Sequence, residues 1–346
     1  MLPIEVLERA RLDLPLYGQS GTSVMEMSHR SSVYMEIYHH AESALRRVLS
    51  LPDSYSILFL QGGATLQFSQ VPMNLSERSG RAAYAVTGVF ARKAAAEAGR
   101  WVNVQVVSDC GSEGRIPVLH DEDIPDDTVY LHITGNNTAY GTMYTSTPAH
   151  GNALLVADWS SGILGSSIPV EDYDLIYAGA QKNMGIAGVT VVILKNSLLS
   201  RSVDPLVPDL LRYSSMQKAE SMINTPPTYA IYILGLVCDW LLERGGLPRM
   251  EKTNREKAGM LYDLLDASSL YRPFADSSCR SLMNVTFTLP SEEMTTRFLM
   301  GAQEIGMVNL KGYRSIGGIR ASIYNGMPLE GVVRLAEYMR HFEQNA

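Results

Sequence analysis

Two ionisable residues stand where apolar runs end. ALLVAD (153–158) closes on Asp158, followed after Trp159 by Ser160, Ser161 and Gly162, and LIYAG (175–179) leads shortly to Lys182. Lysine is seldom withdrawn from water unless paired. Yet Lys182 lies between AGAQ and NMGIAG, mostly small and uncharged residues that pass straight into VTVVIL (189–194). Taken singly, Asp158 reads equally as a turn or capping residue, and Lys182 as a solvated loop residue. Taken together they suggest chemistry. In open sheets of parallel strands, ligands bind beyond the carboxyl ends, and neighbouring strands lie about 4.8 Å apart. An acid and a lysine on adjacent strand ends can therefore face opposite ends of one flat ring. A pyridine-ring cofactor requires such a pair. The carboxylate keeps the ring nitrogen protonated, and the lysine bonds the aldehyde carbon.

Other stretches add polar groups. QGGAT (61–65) follows the strand-like SILFL and opens a helix-like run. It reads as a phosphate seat, where a helix N-terminus offers free N–H groups, or as a plain tight turn, since it has neither P-loop nor dinucleotide-fingerprint spacing. His29 and Arg30 are adjacent in SHR, a kind of pair that is usually at the surface. Arg314 and Arg320 flank Gly317–Gly318, which allows two guanidiniums in one cleft; arginine suits bidentate contact with carboxylate or phosphate. Asn224 and Thr225 precede two prolines in INTPPT, either as ligand contacts or as a loop before the next helix.

The elements that must position these groups are legible as short apolar runs: SILFL (56–60), AAYAV (82–86), VNVQVV (102–107), VYLHIT (129–134), ALLVAD, LIYAG and VTVVIL. Helical patterns at 64–75 and 89–98 fall between them. Strands apolar on both faces, alternating with helices, indicate an α/β fold with a mainly parallel sheet covered on both sides. After about residue 245 the pattern changes to helix 250–266, strand 282–289, helix 292–304, strand 319–324 and helix 328–343, a smaller α+β unit. GGLP (245–248) marks the boundary, giving a large unit over 11–246 and a small one from 1–10 and 247–346. The run 228–242 is apolar almost all round, so it should be buried between units or between subunits.

Composition narrows the function. With 346 residues, 46% hydrophobic, 19% charged and a net charge of −7, the chain reads as globular and not as a nucleic-acid binder. Its three cysteines are widely spaced, without zinc-like patterns, which fits a reducing cytoplasm. MLPIEVLERARLDLPL carries acidic residues and no long apolar core, so no signal peptide is expected. No run is long enough to span a bilayer. No metal is expected.

Six ordered stretches together carry a resemblance: GTSVMEMSHR (21–30), FLQGGATLQF (59–68), DWSSGIL (158–164), YAGAQKNMGIAG (177–188), NTPPT (224–228) and GGIRASIYNGMPLEG (317–331). The chain resembles the phosphoserine aminotransferases, class V pyridoxal-phosphate enzymes of fold type I, over nearly its whole length. The resemblance implies that Lys182 is the Schiff-base lysine, that Asp158 pairs with the ring nitrogen, and that Thr138 of GNNT contacts the ring's phenolic oxygen. Phe90 of VTGVF takes the place of a stacking aromatic, usually Trp. Ala64 and Thr65 receive the cofactor phosphate with Gln181, and Asn224 and Thr225 reach it from a neighbouring subunit, implying a homodimer with shared sites. His29, Arg30 and Arg314 match the cluster for the substrate's phosphate or side-chain carboxylate, and Arg320 the clamp on its α-carboxylate. The substrates implied are L-glutamate and 3-phosphohydroxypyruvate, with a phosphorylated vitamin B6 precursor as a further keto acid. Tyr313 stands where His is expected, a hydrogen-bonding group without charge at neutral pH. The family also places a short Ser-Gly-Pro segment just ahead of MLP; here the sequence starts at Met1, so either the true start lies upstream or this form is shortened. Two rival readings are a cysteine desulfurase, which needs Cys279 as nucleophile and usually a His where Gln181 stands, and a non-catalytic binder of phosphorylated ligands. A nucleotide-dependent oxidoreductase is disfavoured by the lack of GxGxxG.

Overall fold

Seven of the apolar runs pair into one twisted sheet in the computed structural model, which describes residues 2–314 and 316–345. In chain order the strands are β1 (Tyr55–Leu60), β2 (Arg81–Val86), β3 (Asn103–Asp109), β4 (Thr128–Thr134), the short hairpin β5 (Asn136–Asn137) and β6 (Thr142–Met143), β7 (Leu154–Asp158), β8 (Leu175–Gly179) and β9 (Thr190–Lys195). The large sheet runs β1-β9-β8-β7-β4-β2-β3. The pairs β8–β7, β7–β4, β4–β2 and β2–β3 are parallel; β9 alone runs against both its neighbours. The mainly parallel seven-stranded sheet expected from the sequence is present.

Alternation sorts the strand residues onto two faces. Leu58, Leu60, Tyr84, Tyr130, Val156, Tyr177 and Val192 meet Phe68, Val71 and Ala94 from α3 (Gly63–Leu75) and α4 (Val89–Ala98). Ile57, Phe59, Ala85, Ile133, Leu155, Ile176 and Val191 face the opposite way. They share a cluster with α1 (Ile4–Asp13), α2 (Ser32–Leu49) and, beyond the short α5 (Tyr213–Lys218), α6 (Thr228–Glu243) and α7 (Gly246–Ala267). The sequence reading did not mark α2. Its buried residues Tyr34, Ile37, Tyr38, Ala41, Ala44, Leu45 and Val48 recur at the three- and four-residue spacing of one helix face, and Ser31 caps it by accepting from Tyr34 N–H at 3.2 Å.

The all-round apolar α6 finds its cover within the chain, against α2, α1 and α7. After α7 come β10 (Arg272–Pro273), β11 (Asn284–Thr288), α8 (Glu292–Glu304), β12 (Ile319–Ser322) and α9 (Leu329–Gln344), with the three strands forming an antiparallel sheet. The apolar cluster continues from the large sheet into Phe287, Phe298, Ile319 and Met339 without a break at residues 245–248. No helix among the described residues is long and apolar enough to cross a membrane.

Candidate active site

Asp158 ends β7 and lies directly opposite Tyr177 on the parallel β8 and Thr134 on β4. Its carboxylate is buried, and Oδ1 accepts the Ser160 N–H at 2.9 Å. The serines after Asp158 build the turn. Ser160 Oγ accepts from Gly179 N at 3.0 Å, tying the ends of β7 and β8, while Ser161 Oγ donates to Asn136 O at 2.9 Å. Beyond Gly179 the chain turns and delivers Lys182, whose Nζ donates to Thr138 Oγ1 at 3.0 Å and lies 5.6 Å from the centre of the Phe90 ring.

Both heads are pushed toward their neutral forms. Burial raises the Asp158 carboxyl, opposed by the positive charge of Lys182 and by the Ser160 bond. Burial lowers the Lys182 amine, opposed by Asp158 and reinforced by Arg320. Each feels the other, yet they form no direct ion pair among the described residues. The acid and the amine are thus close enough to couple and not closed on each other.

Phe90 opens α4 and meets Tyr313 edge to face, ring centres 6.1 Å apart. Arg320 projects from β12, half-buried; its Nε is buried without a hydrogen-bond partner, so the guanidinium has capacity to spare. Tyr324 was not singled out from the sequence, although it shares strand parity with Arg320 in IRASIY. Its hydroxyl accepts from Asn284 Nδ2 at 3.3 Å, lies beside Thr138, and feels the charge of Arg320. Asn136 and Asn183 were also missed, because buried amides carry no periodic signal. Asn136 bonds Ser161 and Asn284; Asn183, next to Lys182, bonds Ile163 O and accepts from Asn325 N.

The QGGAT turn takes its expected form. Gly62 and Gly63 both have left-handed φ, 89° and 66°, and a Cβ on Gly62 would come within 2.5 Å of Leu66. Helix α3 starts there with no side chain capping its first N–H groups, and Ala64 and Thr65 are its second and third residues. Those groups are free for an anion. Gln181 is exposed beside Gly179. Asn224 and Thr225, also exposed, border the same turn within one chain: Asn224 Nδ2 donates to Gln61 Oε1 at 2.8 Å, and Gln61 Nε2 to Thr225 O at 2.7 Å. Arg30 and Arg314 are exposed and His29 half-exposed, and no side-chain hydrogen bond links any of them to Lys182 among the described residues. A cleft of about 740 Å³ between α1, the end of α6, α7 and residues 325–330 includes none of Lys182, Asp158, Thr138 or Phe90.

The donor set fits pyridoxal phosphate: an acid and an amine apart but coupled, an aromatic ring beside the amine, a hydroxyl at Thr138, and an uncapped helix start reached through two left-handed glycines. The desulfurase reading fails at Cys279. That thiol is buried, donates to Gly114 O at 3.5 Å, and is raised by burial, the opposite of an exposed thiolate nucleophile.

Comparison with known proteins places the chain. The family model for class-V aminotransferases matches residues 1–335. The phosphoserine aminotransferase of Geobacillus kaustophilus is 49% identical over 99% of this chain and 96% of that protein. That of Nitrosomonas europaea is 47% identical over 100% of this chain and 96% of its own length. Among solved structures, the phosphoserine aminotransferase from Bacillus circulans subsp. alkalophilus superposes with a TM-score of 0.95 at 40% identity, covering 100% of this chain and 96% of that one. The PLP-bound enzyme from Trichomonas vaginalis gives 0.93 at 34% identity, covering 98% and 97%. This chain belongs to the class-V aminotransferases and, within them, to the phosphoserine aminotransferase family.

Proposed function

We propose that this chain is a pyridoxal-phosphate-dependent transaminase that moves the amino group of L-glutamate to 3-phosphohydroxypyruvate, giving phosphoserine and 2-oxoglutarate, the transaminating step of serine biosynthesis. A second phosphorylated keto acid, 3-hydroxy-2-oxo-4-phosphobutanoate of vitamin B6 synthesis, fits the same description. The observation that carries the reading is the coupled, unpaired Asp158 and Lys182 on neighbouring strand ends, with Thr138 and Phe90 beside the amine.

Ala64 and Thr65 would hold the cofactor phosphate by their N–H groups, Gln181 would assist, Phe90 would flank the ring and Asp158 would face its nitrogen. When bound, pyridoxal phosphate supplies an electron sink for the pair left at the substrate Cα. Lys182 Nζ, kept closer to neutrality by burial, takes the proton from that Cα, and in the reverse half-reaction returns one to the Cα of the new amino acid. Arg320 orients the α-carboxylate. His29, Arg30, Tyr313 and Arg314 accept either glutamate's second carboxylate or a phosphate.

The protein works as a homodimer with shared sites, in the cytoplasm. Support comes from the exposed apolar residues Leu12, Leu14, Leu16 and Met25, a surface a second copy can cover, and from Asn224 and Thr225, exposed beside the phosphate seat. A second copy is also the route by which His29 and Arg30 meet a Lys182 site. The division at Gly245–Pro248, with 11–246 as cofactor-binding unit and 1–10 plus 247–346 as small unit, is one of architecture, since the apolar core is continuous across it.

The test is spectroscopic. Pyridoxal phosphate added to apoprotein should give a yellow species that bleaches with L-glutamate and recovers with 3-phosphohydroxypyruvate, but poorly with unphosphorylated hydroxypyruvate. A protein that stays colourless is a phosphate-ligand binder and not this enzyme. For sharing, mixing inactive Lys182→Ala with an inactive Asn224→Ala/Thr225→Ala double variant should restore activity; mixtures that stay inactive rule sharing out.

A further inference from the structure

Lys257 is fully buried on α7, on the face that also buries Asn254 and Leu261. No carboxylate pairs with it among the described residues. An uncompensated ammonium in the interior is costly, and here three backbone carbonyls converge on it: Ile323 O at 3.1 Å, Tyr324 O at 3.0 Å and Met327 O at 3.1 Å. Those carbonyls belong to one turn, the chain between β12 and α9. A lysine is the one side chain that presents three N–H donors from a single point.

The turn is stitched on its other side to the active site. Asn325 N donates to Asn183 Oδ1 at 3.1 Å, next to Lys182, and Asn325 Nδ2 donates to Leu164 O at 2.7 Å, in the loop that follows Asp158. Asn254 completes the clasp from α7 by donating to Gly165 O and Asn325 Oδ1, both at 2.8 Å. What leads into this turn is β12 with Arg320, followed by Tyr324, whose hydroxyl lies beside Thr138.

We propose that Lys257 is a positioning residue for the substrate: its ammonium fixes the 323–327 turn and thereby holds Arg320 and Tyr324 where an α-carboxylate is received. This rests on reading Arg320 as the carboxylate clamp. Lys257 touches neither Lys182 nor Asp158, which hang from the ends of β8 and β7, so its loss bears on substrate binding rather than on proton transfer.

Lys257→Met keeps the apolar stem and removes charge and donors. In the holoenzyme, KM for L-glutamate and KM for the keto acid should both rise on the order of tenfold, the worth of a hydrogen bond to a charged group, because both substrates carry an α-carboxylate. At saturation kcat should stay within about twofold, and the apoprotein's affinity for pyridoxal phosphate, read by absorbance titration, should not change. Lys257→Gln, a neutral donor, should fall between native and Met. Unchanged KM values, or cofactor affinity lost in step with KM, overturn the proposal. So does failure of both variants to fold, which assigns Lys257 to stability alone. Arg320→Ala separates the two layers. Unaltered KM in that variant removes the clamp reading itself. Raised KM there with native KM in Lys257→Met removes only the positioning role.

Discussion

Lys182 and Lys257 are both held away from water, and burial depresses both amines, yet their surroundings differ in kind. Lys182 hangs from a strand end, bonds one side-chain hydroxyl, and sits near a carboxylate it does not pair with. Lys257 lies on a helix, pinned by three main-chain carbonyls and paired with no carboxylate among the described residues. The difference teaches what makes a buried lysine reactive. Burial favours the neutral amine in both, but Lys182 has a single side-chain acceptor, Thr138 Oγ1, and an aromatic ring 5.6 Å away. Lys257 has every N–H donor committed to a turn it cannot leave without breaking.

The comparison is tested first at its extreme. Lys182→Ala should abolish transamination, measured as loss of phosphoserine-dependent glutamate formation at any substrate concentration, because it removes the buried amine that follows β8 and feels Asp158. A variant retaining native turnover would falsify the assignment. Next in size is Asp158→Asn, which preserves shape and removes the charge. An amide oxygen can still accept from the ring N–H but carries no charge to keep that nitrogen protonated, so kcat should fall at least about 100-fold, comparable with the loss of a preorganised electrostatic partner. Native kcat in that variant would mean that Asp158 is only a turn residue held by Ser160.

Much of this site was legible in the sequence for a definite reason. Asp158 and Lys182 interrupt apolar runs at strand ends, where topology brings them together, and QGGAT has the glycines that its two left-handed positions require. Strands and helices with clean periodicity matched, as 89–98 and 292–304 did. What was not legible depends on tertiary partners. Tyr324, Asn136, Asn183 and Asn325 act through bonds to residues far away in the chain, and their types alone do not distinguish them from loop amides. Lys257 was hidden for the same reason: it reads as a solvent-facing residue of a charged helix until α9 and β12 close over it. His29, Arg30 and Arg314 are the converse, prominent in sequence and without a side-chain hydrogen bond to Lys182 among the described residues.

A third test probes the Lys257 side of the comparison. Burial lowers its amine to about 8, whereas an unfolded lysine titrates near roughly 10.4. Between those values the unfolded chain binds the extra proton, so folding is favoured progressively as pH rises through that window. Relative to Lys257→Met, the native chain should therefore gain stability from about pH 8 to about pH 10.4, by at most about 3 kcal/mol at roughly 1.4 kcal/mol per unit. Urea denaturation of both proteins at about pH 7.5 and about pH 10 measures the difference. A constant gap would show that water reaches the ammonium.

The smallest effect concerns the single tether of Lys182. Thr138→Val keeps the volume of a buried side chain and removes the hydroxyl that accepts from Nζ at 3.0 Å. If that hydroxyl also serves the cofactor ring, apoprotein affinity for pyridoxal phosphate should weaken by roughly 2- to 12-fold, the range for one neutral hydrogen bond of about 0.5–1.5 kcal/mol. Fluorescence titration reads this directly. Unchanged affinity would confine Thr138 to holding the free amine. The corresponding experiment at Lys257 has no side-chain version, because its three acceptors are peptide carbonyls that no substitution removes. A replaceable hydroxyl leaves an amine free to exchange partners during turnover, and main-chain carbonyls do not.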